Sequence, residues 1–551
     1  MNKNFYWFST IAILVIISYL LPNHHGVWRT VYQDMAMFLG LLIAVAWLGF
    51  NQKNIVSSIS FYSILLLSAV PWLQYGFGQI FFFGDALMAS VYLVGFAFAN
   101  LVGFNLVKIF GLDRILAYWG TLIVFIGLIC VYIQFEQWLL LANGSIWIAD
   151  MPLGGRPFAN FAQPNSLATF LCLSLMAGLY LFEKNRLGVV AGTLLALFLL
   201  FGIALTQART AWCFFLVFLI VWIAKYNYIN ARLLRIVPFA YLTVFMLFLL
   251  VLPKISNFLG ISAVSSAVQR VSSGFERFEM WYQTLYAIAQ RPFFGYGWNQ
   301  VSVAQALVTR DFPLPIQFDS SHNIVLDLLI WNGIPLGLLI VGVSIWRLYN
   351  FTRTIKSIEI FIALAMLGVI LTHAMLEYPL AYAFFLLPFG MLFGAIEGNY
   401  SRVKTYQLNN LLLNFAIIGC ILLFVIAGIE YRKIEKSNEL LQYELRNIGS
   451  LHSDVDTPNV ILLTQLREYI RFLRTPPNKP MNSENIAWAK KVTYRYPIAI
   501  NLYRYAQILA YNHNQQLALE QLEILNNLYN INFPIDSLYD TNDSLSFKWQ
   551  K

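Results

Sequence analysis

Phe318–Ile340 reads FDSSHNIVLDLLIWNGIPLGLLI. It closes the longest polar interval of an otherwise apolar chain and then turns apolar itself. His322 and Asn323 stand where the apolar run begins, which places them at a membrane surface. Asp327 follows Asn323 by four residues and shares its helix face. An imidazole, an amide and a carboxylate at the mouth of a membrane helix make either a reactive site or a polar collar.

Working outward, only 11% of the 551 residues are charged, 59% are hydrophobic and the mean hydropathy is +0.63. Soluble domains carry about 25% charged residues, so the chain is expected to be an all-α, polytopic membrane protein. About 13 apolar runs, from 5–21 to 409–428, approach the roughly 20 residues a spanning helix needs. The run Phe5–Leu21 is followed by no small-residue cleavage site and is expected to remain as the first membrane helix. The run 80–104 contains Asp85, and only EYPL separates 358–376 from 380–397.

The formal charge of +9 is unevenly spread. Residues 1–429 hold 22 basic against 14 acidic residues, and residues 430–551 hold 14 against 13. The excess lies in the membrane part, where cytoplasmic loops collect Lys and Arg, so nucleic acid is not an expected partner. With the amino terminus in the cytoplasm, Lys53, Lys108, Lys184, Arg186, Arg235, Arg347, Arg402, Lys404 and others fall in inner loops. The short outer loops hold Arg29, Arg156 and Arg209. This orientation divides the chain into membrane helices (1–252), a large periplasmic loop (253–322), further membrane helices (323–429) and a soluble periplasmic tail (430–551). In the tail, 430–448 reads as a helix leaving the membrane, and 501–530 as a helical hairpin of tetratricopeptide type. The four cysteines lie in apolar runs, and their spacing suits neither a disulfide framework nor a zinc site.

Further polar residues fall on the outer side. Arg209, in LTQARTAW, sits between two apolar runs; such a charge either faces a cavity or snorkels at a tight turn. Arg277 lies in GFERFEMWYQTLYAIAQ, where Phe275, Phe278, Trp281, Leu285 and Ile288 recur at helical spacing, as in a helix lying on a membrane surface. Trp281 shares the face of Arg277. In DMPLGGRPFANFAQPNS (150–166), Arg156, Asn160, Gln163 and Asn165 gather at the membrane edge, and Pro164 suits the first turn of a helix. His373 and Glu377 form an i, i+4 pair at an outer helix end.

The segments GGRPFANFAQPNSLATFL, LTQARTAW, ERFEMW with RPFFGYGWNQ, DSSHNIVLDLLIWNGIPLG and THAMLEYPLAY, in this order, resemble bacterial O-oligosaccharyltransferases of the PglL type. These belong to the superfamily of O-antigen ligases and Wzy-type polymerases. The resemblance implies a GT-C type membrane fold in the bacterial inner membrane. It implies inverting transfer of a glycan from undecaprenyl diphosphate to Ser or Thr of an exported protein, such as a pilin, at the periplasmic face. Neither a metal ion nor another cofactor is expected. It further implies roles: Arg209 and Arg277 clamp the diphosphate, His322 takes the acceptor proton, and Asn323 caps the helix or orients the imidazole. Arg156, Asn160, Gln163, Asn165 and Glu377 are expected to bind substrate. The rival readings are an O-antigen ligase or polymerase with a saccharide acceptor, and a polysaccharide or lipid transporter. A transporter would more often show internal repeats, and none is evident.

Overall fold

The computed structural model describes residues 3–142, 144–152, 154–261, 275–400, 403–446 and 457–539. Arg402, residues 262–274 of the expected outer loop, and residues 447–456 and 540–551 of the tail lie outside the described residues.

The apolar runs are helices: α1 (Lys3–Leu20), α2 (Val31–Asn51), α3 (Ile59–Leu67), α4 (Val70–Gly76), α5 (Phe83–Phe110), α6 (Leu112–Trp138), α7 (Pro164–Glu183), α8 (Val189–Thr206), α9 (Arg209–Ile229) and α10 (Val237–Phe258). After the outer loop come α11 (Phe275–Gln290), α12 (Val301–Val308), α13 (Ile324–Arg353), α14 (Ile358–Ala374), α15 (Ala383–Asn399) and α16 (Asn410–Leu445). The tail adds α17 (Thr464–Arg474), α18 (Ser483–Arg495), α19 (Ala499–Tyr511) and α20 (Gln515–Tyr529). Among the described residues, ten helical stretches are long and apolar enough to cross a membrane, α3 with α4 counting as one. Asn4–Leu20, α14 and α15 are shorter apolar helices. Every apolar run read from the sequence has a helix in its place. The chain is a multi-pass membrane protein.

Two compact units divide the chain. The first comprises Met1–Leu67, Tyr92–Gly274 and Ser344–Cys420; the second comprises Ser68–Val91, Phe275–Val343 and Ile421–Lys551.

In the first unit, α6, α7 and α8 pack in sequence and α14 lies against α7 and α9. Small residues permit the closest approaches. A Cβ on Gly103 would fall 1.9 Å from the Met391 carbonyl oxygen, and one on Gly394 2.0 Å from that of Asn100. Such contacts bring α5 and α15 together in the manner of membrane helices. A two-stranded antiparallel pair, β1 (Val56–Ser58) and β2 (Thr405–Gln407), sets Val56 opposite Gln407. Two buried carboxylates serve the ends of α15. Asp34 accepts from Ala383 N (2.8 Å), Thr30 Oγ1 (2.7 Å) and Tyr92 Oη (3.0 Å). Glu397 accepts from Ser58 (2.7 Å) and Ser60 (2.9 Å) and lies 3.5 Å from Arg347. A charge in a membrane interior persists only with such partners.

The second unit holds its own apolar core, built around Met280, Ile288, Tyr296, Val301, Phe318 and Ile330. Here the structure departs from the expectation of one continuous helix after His322. Gly333 (φ 74°, ψ 171°) breaks α13, with Pro335 two residues on. The break is held from outside. Tyr296 N donates to Ile330 O (2.8 Å), Gly297 N to Trp331 O (3.0 Å) and Ile334 N to Pro292 O (2.6 Å). A Cβ at Gly333 would lie 2.4 Å from the Phe293 carbonyl, so both the positive φ and the close approach require glycine there. His322 therefore precedes a short helix that is separated from the long apolar segment behind it.

The tail helices join the same unit. Asp85, in the first turn of α5, receives both Nε (3.0 Å) and Nη2 (3.0 Å) of Arg495 at the end of α18. Ser302 donates to Arg495 O (3.1 Å), Arg310 pairs with Glu520 and Glu523, and Asn527 donates to Thr309 O (3.1 Å). Glu430 on α16 accepts from the backbone N–H groups of Ile461, Leu462 and Leu463, which fixes the entry to α17. The hairpin read at 501–530 corresponds to α19 and α20, two of four tail helices.

Candidate functional site

The first unit carries six of the nine candidate residues. Their scaffold is the loop between α6 and α7, which glutamines in α6 fold back. Gln137 donates to Ala149 O (2.9 Å) and Ala159 O (2.9 Å) and accepts from Phe158 N (3.0 Å) and Ala159 N (2.8 Å). Gln134 donates to Gly202 O (3.2 Å). Asn160 is 2% exposed, and backbone groups engage its side chain fully. It donates to Leu20 O (2.6 Å) and Trp147 O (2.9 Å) and accepts from Ala149 N (3.0 Å). Its carbonyl meets His24 Nε2 at 2.7 Å. Burial lowers the His24 imidazole pKa by more than that carbonyl raises it. Asn160 thus ties the α1–α2 turn to the loop.

Arg156 emerges from this loop and donates from Nη1 to Thr206 O (3.0 Å). Thr206 ends α8, Gln207 is left-handed (φ 49°), and Arg209 opens α9. Arg156 thus binds the last residue of α8, three residues before Arg209, at a tight turn whose Thr206, Gln207 and Ala208 are buried. Gln163 stands at the N-cap of α7 and accepts from Ser166 Oγ (3.0 Å). Asn165 donates to Glu377 Oε1 (2.9 Å), and Thr169, one turn on, shares a hydrogen bond with His373 Nδ1 (2.9 Å). The His373/Glu377 pair thus fastens the end of α14 to α7.

The second unit carries Arg277, His322 and Asn323. Asp327, 3% exposed, organises the turn before α13. It accepts from Ser320 Oγ (2.7 Å), Ser321 N (2.8 Å) and Ser321 Oγ (2.7 Å). Asn323 Oδ1 accepts from Val325 N (3.0 Å) and Leu326 N (3.3 Å), a helix N-cap. Between these two anchors His322 adopts a left-handed backbone (φ 57°), with its N–H on Ser320 Oγ at 3.1 Å. Non-glycine residues seldom occupy this region, and surroundings that over-determine it are a feature of functional turns. His322 is half-buried between the buried Ser321 and Asn323. Trp281 Nε1 donates to Ser321 O (2.9 Å), so the helix face shared by Arg277 and Trp281 is fastened to the residue before His322.

Sequence reasoning passed over Gln134, Gln137 and Trp281 as anchors. The glutamines carried a signal, being amides inside an apolar run. Among the described residues, no group of three or more His, Cys, Asp or Glu side chains is gathered to hold a metal ion.

Comparison with known proteins places these segments. Residues 157–182 match a protein glycosylation ligase profile. Residues 194–341 match O-antigen ligase, and residues 361–534 match the C-terminal region of virulence-factor membrane-bound polymerases. The general O-oligosaccharyltransferase of Acinetobacter baylyi is 32% identical over 543 residues, covering 97% of this chain and 94% of that protein. The ComP-specific O-oligosaccharyltransferase of the same organism is 28% identical over 509 residues, 92% of each chain. The chain belongs to the O-oligosaccharyltransferase family, glycosyltransferases that transfer glycan onto protein. Its helices and polar turns are those of a membrane enzyme related to the O-antigen ligases.

Proposed function

We propose that this chain transfers an oligosaccharide from undecaprenyl diphosphate to Ser or Thr hydroxyls of exported proteins, pilins among them. The reaction takes place at the periplasmic face of the bacterial inner membrane, without a metal ion. The observation that carries the reading is the end-to-end likeness to a general O-oligosaccharyltransferase. In the reaction, the acceptor oxygen attacks the anomeric carbon from the face opposite the diphosphate. The bond from that carbon to the phosphate oxygen breaks, and the diphosphate leaves with the electron pair. His322 takes the hydroxyl proton, a role suited to imidazole near neutral pH. Arg209 and Arg277 stabilise the charge that develops on the diphosphate oxygens, with Arg156 in support. Gln163, Asn165 and Glu377 contact the glycan or acceptor. Asn160 and Asn323 act through the backbone they hold.

The loop contacts of the tail support the orientation. The Arg495–Asp85, Arg310–Glu520 and Asn527–Thr309 contacts need the tail and the outer loop on one side of the membrane. The four helices α13 to α16, all crossing in a 13-span GT-C arrangement, return the chain to that side. Alkaline phosphatase fused after Asn399 is expected to be inactive and after Arg446 active; equal activity at both points would overturn this topology.

The function itself is tested by intact-mass spectrometry of exported proteins from cells with and without the gene. Loss of a protein-linked glycan on deletion is the expected result. Unchanged protein masses, with loss of glycan from lipopolysaccharide alone, would favour the O-antigen ligase reading instead.

A further inference from the structure

The first unit contains a cavity of about 420 Å³, within the range of ligand-sized pockets. It lies between α7, α8, α9 and α10, at the Val189 end of α8. The 18 residues of α8 set its Val189 end about 27 Å from the Gln207–Arg209 turn. Its walls are apolar, with Leu179, Leu195, Ala196, Phe218 and Val237 among them, and Arg232 lies at its edge.

The charges around this edge do not cancel. Lys184 pairs with Glu359, and Arg186 with Asp113 (2.9 Å). Glu183 is engaged by the backbone N–H groups of Arg232 (2.6 Å) and Leu233 (3.0 Å). Arg232 itself stacks over the Phe182 ring (4.2 Å) and donates from Nη1 to the carbonyls of Phe182 (2.8 Å) and Leu187 (3.3 Å). Among the described residues, Arg235 reaches Ile223 O (3.4 Å) and the Tyr226 ring. Both arginines are exposed, and among the described residues neither guanidinium has a carboxylate partner.

We infer that this cavity is a binding site for an anionic phospholipid of the leaflet opposite the one reached by Arg209. The phosphodiester sits on Arg232 and Arg235, and one acyl chain fills the groove. The chemistry favours this occupant over bulk lipid. Two guanidinium groups offer forked donors to phosphate oxygens. The stacked Arg232 is held in place before the ligand arrives. The groove begins at Arg232, with Arg235 three residues on, as the acyl chains of a phospholipid begin beside its phosphate, and basic pockets between membrane helices recognise such headgroups.

The test is native mass spectrometry of the full chain in detergent, with phosphatidylglycerol or phosphatidylcholine of identical acyl chains. The expected result is one phosphatidylglycerol retained about 10-fold more tightly than phosphatidylcholine. Arg232→Gln/Arg235→Gln removes the preference, and Arg232→Lys/Arg235→Lys, which keeps the charge without the fork, loses most of it. Ala196→Trp, which fills the groove, abolishes retention of the diacyl lipid, and glycerol phosphate without acyl chains does not compete. Equal retention of the two lipids, or a preference that survives Arg232→Gln/Arg235→Gln, overturns the site. Retention that survives Ala196→Trp overturns the acyl-chain part of the assignment.

Discussion

Replacing His322 with alanine is expected to lower glycan transfer by about 10²–10⁴-fold, the usual contribution of a positioned general base. Protein level and membrane insertion should stay normal. The turn is held by Asp327, through Ser320 and Ser321, and by the Asn323 cap. Alanine also tolerates the left-handed backbone less well than histidine, so a glutamine variant is the sharper measurement. Glutamine can hydrogen-bond to the acceptor hydroxyl but cannot accept its proton near neutral pH. If His322 is the base, His322→Gln is as inactive as His322→Ala in a purified transfer assay. If glutamine keeps most of the activity, His322 positions the acceptor and the proton leaves by another route. Wild-type transfer by His322→Ala would remove the residue from the site.

The arginine pair provides the second large effect. Arg209→Lys and Arg277→Lys are each expected to reduce transfer by about 10²–10³-fold, the scale on which loss of one charge-stabilising donor acts. Lysine keeps the charge but lacks the planar fork that grips two phosphate oxygens at once. Arg209 opens its helix and Arg277 lies half-buried on α11, so neither substitution should unfold its unit. Assays with chelator present should leave the wild-type rate unchanged. Full activity in the Arg209→Lys/Arg277→Lys double variant, or a wild-type rate that collapses with chelator, would refute the proposed charge stabilisation.

Much of this architecture is legible in the sequence because the bilayer imposes a length and a polarity on every span. The runs from 5–21 to 409–428 are legible that way. Local polar signals did less well. Gly333 and Pro335 stood in plain view in WNGIPLG, yet the apolar residues around them read as one helix. Only the opposing Pro292–Gly297 backbone makes the break a packed feature. Asp85 was visible as an anomaly in an apolar run, but its partner Arg495 lies 410 residues away, beyond any local pattern. Asn160 read as a substrate contact because an amide at a membrane edge looks available; its backbone partners, from Leu20 to Trp147, appear only in three dimensions. Asp327 was seen on the face of Asn323, but its bonds to Ser320 and Ser321 depend on how the loop turns back.

The three-part make-up of the second unit bears on how the enzyme is made. Its pieces leave the ribosome at widely separated moments: Ser68–Val91 early, Phe275–Val343 midway, and the tail last. Asp85 enters the bilayer region long before Arg495 exists, so the nascent chain carries an uncompensated carboxylate through most of synthesis. The clasp between them closes only once α18 has been made. A chain cut short before α18 retains His322 and every proposed catalytic arginine, yet lacks the partner of Asp85. Messenger truncation or early proteolysis therefore leaves an unfinished second unit rather than a smaller working transferase.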